Sequence, residues 1–257
     1  MISKRLGNDA LVPAPPSSAT PSPAVGAGGT PSANDQRDVP PREGTPWAPG
    51  GSWVEWAGVL LVFFVAAGDP PPDLNEAHYL CRLKRYWSPD FCRGDLFLES
   101  PEAHFTVVWL LGWLTRLVDL TTLAWIGRLC SWAVIAWGWV RMARRVAPYP
   151  GVSLLGAALL VVGTEQTHFG GEWIIGGFEA KTLASGAVLH ALAAWLDRRW
   201  TLSLALLGGA TAVHALVGGW SLVALAFAWA TQREGRPPLV QLLPGLGLAA
   251  AIGAAGV

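Results

Sequence analysis

The side chains of this sequence that could do chemistry are concentrated in one stretch, directly after its first apolar run. From Asp69 to His104 the chain holds seven of its eighteen acidic residues, two of its five histidines and two of its three cysteines. Carboxylates and imidazoles are among the groups that most often transfer protons in enzymes. The stretch therefore favours a site for acid–base chemistry, while ion pairing between neighbours is the simpler interpretation of any single residue.

A second set of ionisable residues interrupts the later apolar sequence. It comprises Glu165, His168, Glu172, Glu179, Lys181 and His214. Ionisable groups inside or at the edge of a membrane are costly and usually serve a function, so the set as a whole favours a site. Pairing of Glu179 with Lys181, or of Arg128 with an acid of the first stretch, is the alternative for individual members.

The composition of the chain indicates which kind of secondary structure positions these residues. Of the 257 residues, 52% are hydrophobic and 14% are charged, and the mean hydropathy is +0.37. The apolar residues come in long runs, and a soluble domain usually carries about 25% charged residues. These features predict an all-α, polytopic transmembrane helical bundle. The formal net charge of zero gives no electrostatic support for a nucleic-acid partner.

The apolar runs predict about seven membrane spans within one multipass domain, residues 52–257. They cover residues 52–68, 122–140, 152–163, 182–196, 201–230 and 239–257. We interpret the run at 201–230 as a hairpin of two short spans that turns near residues 214–219. Several runs are shorter than the ~20 residues of a straight crossing, which buried or cavity-lining segments tolerate.

Arginines give the expected orientation. They cluster at 141–145, 198–199 and 233–236, and the positive-inside rule places such clusters in the cytoplasm. Residues 69–121 and 164–181 then form outer loops, and His104–Val118 becomes an interfacial helix instead of a span. The expected location is the inner (plasma) membrane of a bacterial cell, with a cytoplasmic N-terminus. Because the sequence ends within an apolar run, we expect further sequence to follow it.

The beginning of the chain differs from the rest. Residues 1–49 hold half of the twenty prolines and contain no apolar run. Such a segment cannot bury enough apolar surface to offset the entropy of ordering it. Residues 1–51 are therefore predicted to be a disordered cytoplasmic tail, rich in Pro, Ala and Ser.

A short motif, NEAHY at positions 75–79, follows the first predicted span. In a helix that begins near Asp73, Glu76 would occupy the glutamate position of a capping box. The motif also resembles the Asp-Glu-x-x-Tyr stretch of GT-C superfamily membrane glycosyltransferases, of the aminoarabinose and mannosyl transferase type. In those enzymes the stretch supplies the catalytic acid, and Asn75 stands here where they have aspartate.

A second point of resemblance is the sequence ESP at positions 99–101, which precedes the predicted interfacial helix. GT-C enzymes carry a similar Pro-containing stretch there, with a basic residue in place of Ser100. The resemblance covers about residues 52–150. The longer string from NEAHYL to DLFLES is also similar to a family of bacterial multipass membrane proteins. This similarity does not indicate which activity the chain has.

The GT-C resemblance implies transfer of a sugar from a polyprenyl-phosphate donor to an acceptor at the outer membrane face, with membrane lipid and that donor as partners. Glu76, Asp95 and Glu99 would be the catalytic carboxylates, and Glu76 would deprotonate the acceptor hydroxyl. The residues expected to bind substrate are Asp73, Asn75, His78, Tyr79, His104, Glu172, Lys181 and His214. Lys181, Arg85 or a divalent cation held by loop acids could neutralise the departing phosphate.

Two expectations follow for Glu76. A carboxylate near lipid should have a raised pKa unless a cation pairs with it, and a raised pKa would suit a general base near neutral pH. Glu76→Gln should then abolish transfer with little effect on stability.

The alternative function is a transporter or channel with an acidic outer vestibule. Gly-rich short spans and buried polar groups fit it equally well, whereas the large acidic loop fits it less well and no inverted repeat is evident. The sequence contains no HExxH, no Cys/His zinc spacing and no Walker A motif, so zinc and P-loop nucleotide sites have no sequence support.

The three cysteines carry separate expectations. Cys81 and Cys92 lie in the loop expected to be outside, where disulfides persist, so they can pair; two free thiols are a nearly equal alternative. Cys130 lies within a predicted span and is expected to be a reduced core residue.

Overall fold

The computed structural model describes residues 49–73, 75–167 and 174–256, and every regular element within these ranges is a helix. The α-helices are α1 (Pro49–Ala67), α2 (Glu76–Trp87), α3 (Phe105–Leu111), α4 (Leu120–Val146), α5 (Val152–Thr167), α6 (Ala180–Leu196), α7 (Trp200–Val213), α8 (Ala215–Thr231) and α9 (Leu239–Ala254). A 3₁₀ helix, Gly112–Arg116, continues α3. The predicted all-α class is confirmed for these residues. The predicted tail lies outside them except for residues 49–51, which begin α1.

Helix α4 stands out by its length. It has 27 residues, and among the described helices it alone is both long and apolar enough to cross a membrane. Shorter apolar helices lie at Ser52–Ala67, Phe105–Arg116, Val152–Thr164, Trp200–Val213, Ala215–Thr231 and Leu239–Ala254. The predicted apolar runs are therefore helical, while the polytopic membrane arrangement stays a prediction.

Helices α1, α4 and α5 share one apolar core. Phe63 of α1 and Trp132 of α4 are fully buried in it. The indole N–H of Trp56 donates to the carbonyl of Ala133 at 2.9 Å, and that of Trp132 donates to the carbonyl of Gly176 at 3.0 Å. These bonds satisfy polar atoms that would otherwise be buried without a partner. The second bond also attaches the segment before α6 to α4.

Helices α7 and α9 pack with their backbones in contact. A methyl group on Gly208 of α7 would meet the Cα atom and carbonyl oxygen of Ala249 of α9 at 2.6 Å. Nearer the start of both helices, Gly245 faces Thr201. Residue numbers increase together along the contact, so α7 and α9 run in the same direction, and α8 returns between them in sequence.

The predicted hairpin at residues 201–230 corresponds to α7 and α8. The chain turns at His214, which caps α8 by accepting a hydrogen bond from the N–H of Val217. Gly218 allows α8 to lie against α7, because a side chain there would collide with the backbone of Thr211.

The predicted interfacial segment 104–118 forms α3 and its 3₁₀ continuation. Seven α-helical and five 3₁₀ residues span about 20 Å, which is less than the ~30 Å hydrocarbon thickness. The segment packs on α2, where the indole N–H of Trp87 donates to the carbonyl of Val108 at 3.0 Å. Its other side leaves large apolar residues exposed, namely Phe105, Trp109, Leu110, Trp113 and Leu117.

The two ends of the bundle differ in the residues they carry. Arg144 near the end of α4 pairs with Glu55 near the start of α1 at 3.1 Å, and Arg145 and Arg141 both pair with Asp197, just after α6. We call this the arginine end. The opposite end carries the described residues of the 69–121 segment, and we call it the loop end.

The cysteines are free thiols in the structure. Cys81 is half-buried on α2 and Cys92 is exposed, so the alternative of two unpaired thiols holds in this state. Cys130 is exposed on the surface of α4. The expectation of a core position for Cys130 is therefore wrong, because Cys130 is not among the buried residues through which α4 packs.

Candidate functional site

A polar pocket with a volume of about 310 Å³ lies at the loop end of the bundle. It is formed by α2, the segment before α3, the start of α6 and the turn between α7 and α8. Six of the eight residues predicted to bind substrate line it, namely Asn75, His78, Tyr79, His104, Lys181 and His214. Arg82, Glu102 and Glu179 complete its charged lining. The structure thus gathers residues that are up to 139 positions apart in the sequence.

One face of α2, together with its N-cap Asn75, supplies four of the lining residues. Asn75, His78, Tyr79 and Arg82 follow the i, i+3, i+4, i+7 spacing that places side chains on one side of a helix. Sequence reasoning missed Arg82 as a site residue. The spacing is a signal that could have identified it, because the other three members were already candidates.

Arg82 holds the wall of the pocket in place. Its guanidinium donates to a Glu102 carboxylate oxygen at 3.0 Å, to Ser100 Oγ at 2.6 Å and to the carbonyl of Phe97 at 2.7 Å. It also lies 4.2 Å from the centroid of the Phe97 ring. These contacts fix the segment before α3 against α2.

Lys181 and Glu179 form the charged pair of the pocket on the α6 side. Lys181 Nζ lies 3.2 Å from Glu179 Oε2, and both side chains are more than nine-tenths buried. The alternative pairing considered from the sequence is confirmed. Because burial removes most solvent screening, this pair interacts more strongly than a surface pair of the same length.

Three rings form a stack across the pocket. The His104 ring lies 4.9 Å from that of His214 at an angle of 20°, and 5.3 Å from that of Tyr79. Tyr79 Oη lies 3.3 Å from His104 Nε2. Burial lowers the pKa of His104, against the opposing effects of the Glu102 carboxylate and the Val213 carbonyl. A lowered pKa favours a neutral imidazole at pH 7.

Glu76 lies next to the pocket but does not line it. Its carboxylate is fully buried and accepts two hydrogen bonds from Arg128, at 2.9 Å from Nε and 2.6 Å from Nη2. The N–H of Phe178 donates to Oε1 at 2.7 Å, and that of Asp73 donates to Oε2 at 3.0 Å. The last bond matches the glutamate arm of the predicted capping box. The box itself is not formed, because α2 begins at Glu76 with Asn75 as its N-cap and the Asp73 side chain accepts from Gly177 instead.

The surroundings of Glu76 determine its protonation state. Burial by itself would raise the pKa, but the hydrogen bonds from Arg128, Phe178 and Asp73 and the charge of Arg128 hold the pKa of Glu76 below its ordinary value. The sequence-based expectation of a raised pKa carried the condition that no cation pairs with the carboxylate, and Arg128 does. A carboxylate with four donors and no exposure is better suited to positioning than to accepting a proton from a substrate.

Asp95 and Glu99, the other predicted catalytic carboxylates, lie away from the pocket lining. Asp95 accepts hydrogen bonds from the N–H groups of Phe97 and Leu98 in an exposed turn. Glu99 pairs with Arg85 at 2.9 Å and is well exposed. Both carboxylates therefore organise the surface of the loop in this structure.

Two predicted site residues remain, of which one lies within the described residues and one outside them. Asp73 Oδ2 accepts a hydrogen bond from the N–H of Gly177 at 3.1 Å, which joins the first loop to the segment before α6. Glu172 lies outside the described residues. Within the described ranges, no three His, Cys, Asp or Glu side chains are placed to hold a metal ion together.

No family model, curated protein or solved structure matches this chain. The GT-C resemblance therefore stays a prediction that rests on the motifs quoted above.

Proposed function

We propose that this chain is part of a membrane glycosyltransferase-like protein that uses a polyprenyl-phosphate sugar donor, and that the donor binds in the polar pocket at the loop end. The observation that carries the proposal is the composition of this pocket. It combines two cations, two acids and a stack of rings beside an exposed apolar helix, α3.

The cations of the pocket suit a phosphate. The ammonium of Lys181 has three N–H donors and can hold a carboxylate and a phosphate oxygen together. The guanidinium of Arg82 already donates to Glu102, Ser100 and Phe97, so it would act on the phosphate through its positive charge. Both groups would stabilise the negative charge that builds up on the departing phosphate.

His104 is the base in this proposal. Its lowered pKa keeps the imidazole neutral near pH 7, and it lies in the pocket lining between Tyr79 and His214. His104 would take the proton of the acceptor hydroxyl as its oxygen bonds to the anomeric carbon. The bond from that carbon to the phosphate oxygen breaks, and the polyprenyl phosphate leaves with the electron pair. Glu76 is then a positioning residue that joins α2 to α4.

The apolar surface of the 104–118 segment supports a lipid-linked donor over a soluble one. Trp109, Trp113 and Leu117 are 45–69% exposed beside the polar pocket. Aromatic and aliphatic side chains of this kind rest at membrane interfaces. A polyprenyl chain could lie along this surface while its phosphate enters the pocket.

The test is binding and transfer with a radiolabelled polyprenyl-phosphate sugar and the protein in lipid vesicles. Hydrogen bonds to charged groups contribute about 1.5–3 kcal/mol, so Lys181→Gln should weaken donor binding about 10- to 100-fold. Lys84→Gln is the matched control, because Lys84 lies on α2 with its ammonium against the Phe91 ring and outside the pocket lining. His104→Gln should retain donor binding and lose transfer.

Three outcomes would contradict the proposal. They are unchanged donor binding in Lys181→Gln, unchanged transfer in His104→Gln, and failure of the unaltered protein to bind any lipid-linked sugar. Binding accompanied by movement of the donor across the bilayer, without sugar transfer, would favour the transporter alternative. Thermal unfolding of each variant separates loss of binding from loss of folding.

A further inference from the structure

A second cavity, near the arginine end, is apolar. It lies between α6, α7, α8 and α9, has a volume of about 430 Å³ and is lined only by aliphatic side chains and tryptophans. Trp195 and Trp229 border it on the α6 and α8 sides, and Leu242 of α9 lies in its wall. A groove of this composition favours an apolar occupant over water.

A cation lies at the edge of this groove. The Arg236 guanidinium sits 4.7 Å from the centroid of the Trp229 ring, and that ring lines the groove. The indole N–H of Trp229 donates to the carbonyl of Pro237 at 2.9 Å, which fixes the loop that carries Arg236. None of the ion pairs between described residues involves Arg236.

We propose that the groove holds one acyl chain of an anionic phospholipid, with the lipid phosphate on Arg236. Apolar burial favours the acyl chain in the groove. A positive charge beside a Trp-lined apolar groove is complementary to a molecule with an anionic head and an apolar tail. This site is at the opposite end from the polar pocket. It depends on the membrane setting of the proposed function but not on sugar transfer.

Native mass spectrometry of the purified full chain in detergent tests the head-group contact. Dioleoylphosphatidylglycerol should bind more tightly than dioleoylphosphatidylcholine, which has no net charge. Arg236→Gln should weaken binding of the anionic lipid about fivefold and binding of phosphatidylcholine less, because the choline cation of that lipid already offsets its phosphate charge. Arg233→Gln is the matched control, because it removes the same charge from the same loop, and no described ring or carboxylate contact involves Arg233.

A second pair of variants tests the groove itself. Ala226 is exposed and lines the groove, so Ala226→Phe should fill it and displace the anionic lipid. Ala224→Phe places the same ring on an exposed position of α8 outside the groove lining and should leave lipid binding unchanged.

Several results would overturn the lipid proposal. Equal binding of the two lipids, equal effects of the two arginine variants, or normal lipid binding by Ala226→Phe would each exclude the site. A dimer that disappears only in Ala226→Phe would identify a second copy of the chain as the occupant instead. Normal sugar-donor binding alongside any of these results would leave the function proposed for the polar pocket intact.

Discussion

Glu76 and Arg128 show how the partners of a carboxylate decide what it can do. Glu76 is acidic and lies directly after the first apolar run, and these features suggested a base. Its four hydrogen-bond donors and complete burial leave no path for a substrate proton. The pair instead joins α2 to α4, and the hydrogen bond from the N–H of Phe178 to Glu76 attaches the segment before α6.

This pairing reverses the stability expectation for Glu76→Gln. Removing one member of a buried ion pair leaves the other charge uncompensated and costs about 3–5 kcal/mol. We expect a clear fall in thermal unfolding temperature in detergent. Glu99→Gln is the control, because Glu99 pairs with Arg85 at the surface and such pairs contribute about 0–1 kcal/mol. Equal effects of the two substitutions would exclude the role given to Glu76.

Acid should weaken the fold through the same carboxylate. The folded pKa of Glu76 is held below its ordinary value, whereas the unfolded chain titrates near 4.3. Its stabilising contribution is then fully present above about pH 4.3 and is lost as the pH falls through the folded pKa. Unfolding free energies measured from about pH 6 to about pH 3 should decline less steeply in Glu76→Gln than in the unaltered protein. An identical slope would contradict the assignment.

Part of this chemistry was predictable from the sequence at the residue scale. The predicted spacing correctly placed the Glu76 carboxylate near the N–H of Asp73, because that contact is local. The helix start predicted near Asp73 lies three residues before the observed start of α2. Arg128 was expected to pair with some acid of the first loop, yet several acids were available. The choice of Glu76, 52 residues away, depends on how α2 docks on α4, which local spacing does not encode.

At the scale of helices, the contact between α7 and α9 depends on single glycines. A methyl group on Gly208 would lie 2.6 Å from backbone atoms of Ala249, which cannot move aside as a side chain can. We expect Gly208→Ala to lower the unfolding free energy by about 1–3 kcal/mol. Circular dichroism during thermal unfolding would measure it.

The neighbouring glycine provides the control for this prediction. A methyl group on Gly209 would meet no atom within 4 Å. Since alanine is the better helix former, Gly209→Ala should be neutral or slightly stabilising. Comparable destabilisation by both substitutions would show that the cost is not due to contact with α9.

Helix positions were more predictable than helix packing. The apolar runs predicted the helices and the break near His214, because hydropathy and local turn residues are encoded in short windows. The start of α1 at Pro49 and the contact of α7 with α9 were not predicted. The latter joins positions about 40 residues apart through glycines, which have no side chain to mark the contact in the sequence.

At the scale of the whole bundle, three arginine residues and their acidic partners mark one end. Arg141, Arg144 and Arg145 lie together with the start of α1 and the end of α6. The described part of the 69–121 segment lies at the other end. Successive long helices run in opposite directions, which places these two groups of residues at opposite ends. The side of a membrane that each end faces stays a prediction.

Labelling with a membrane-impermeant maleimide on intact cells would test the orientation. Cys92 is exposed in the structure and lies in the loop expected to be outside, so it should react. The substitution Ala147→Cys, made together with Cys92→Ser to remove the exposed native thiol, introduces a cysteine on the expected cytoplasmic side. This cysteine should react only after the cells are opened. Reaction of position 147 in intact cells would reverse the topology.

The buried Arg128 also bears on how such a chain would enter a membrane during synthesis. It lies eight residues into α4, about 12 Å along the helix, where an arginine without a counter-ion disfavours insertion by up to about 3 kcal/mol. Glu76 leaves the ribosome 52 residues earlier, so the counter-charge is already present when α4 emerges. In the proposed setting, α4 would enter the bilayer with its counter-charge already present on α2 at the outer face, so the order of the helices along the chain would itself favour correct insertion.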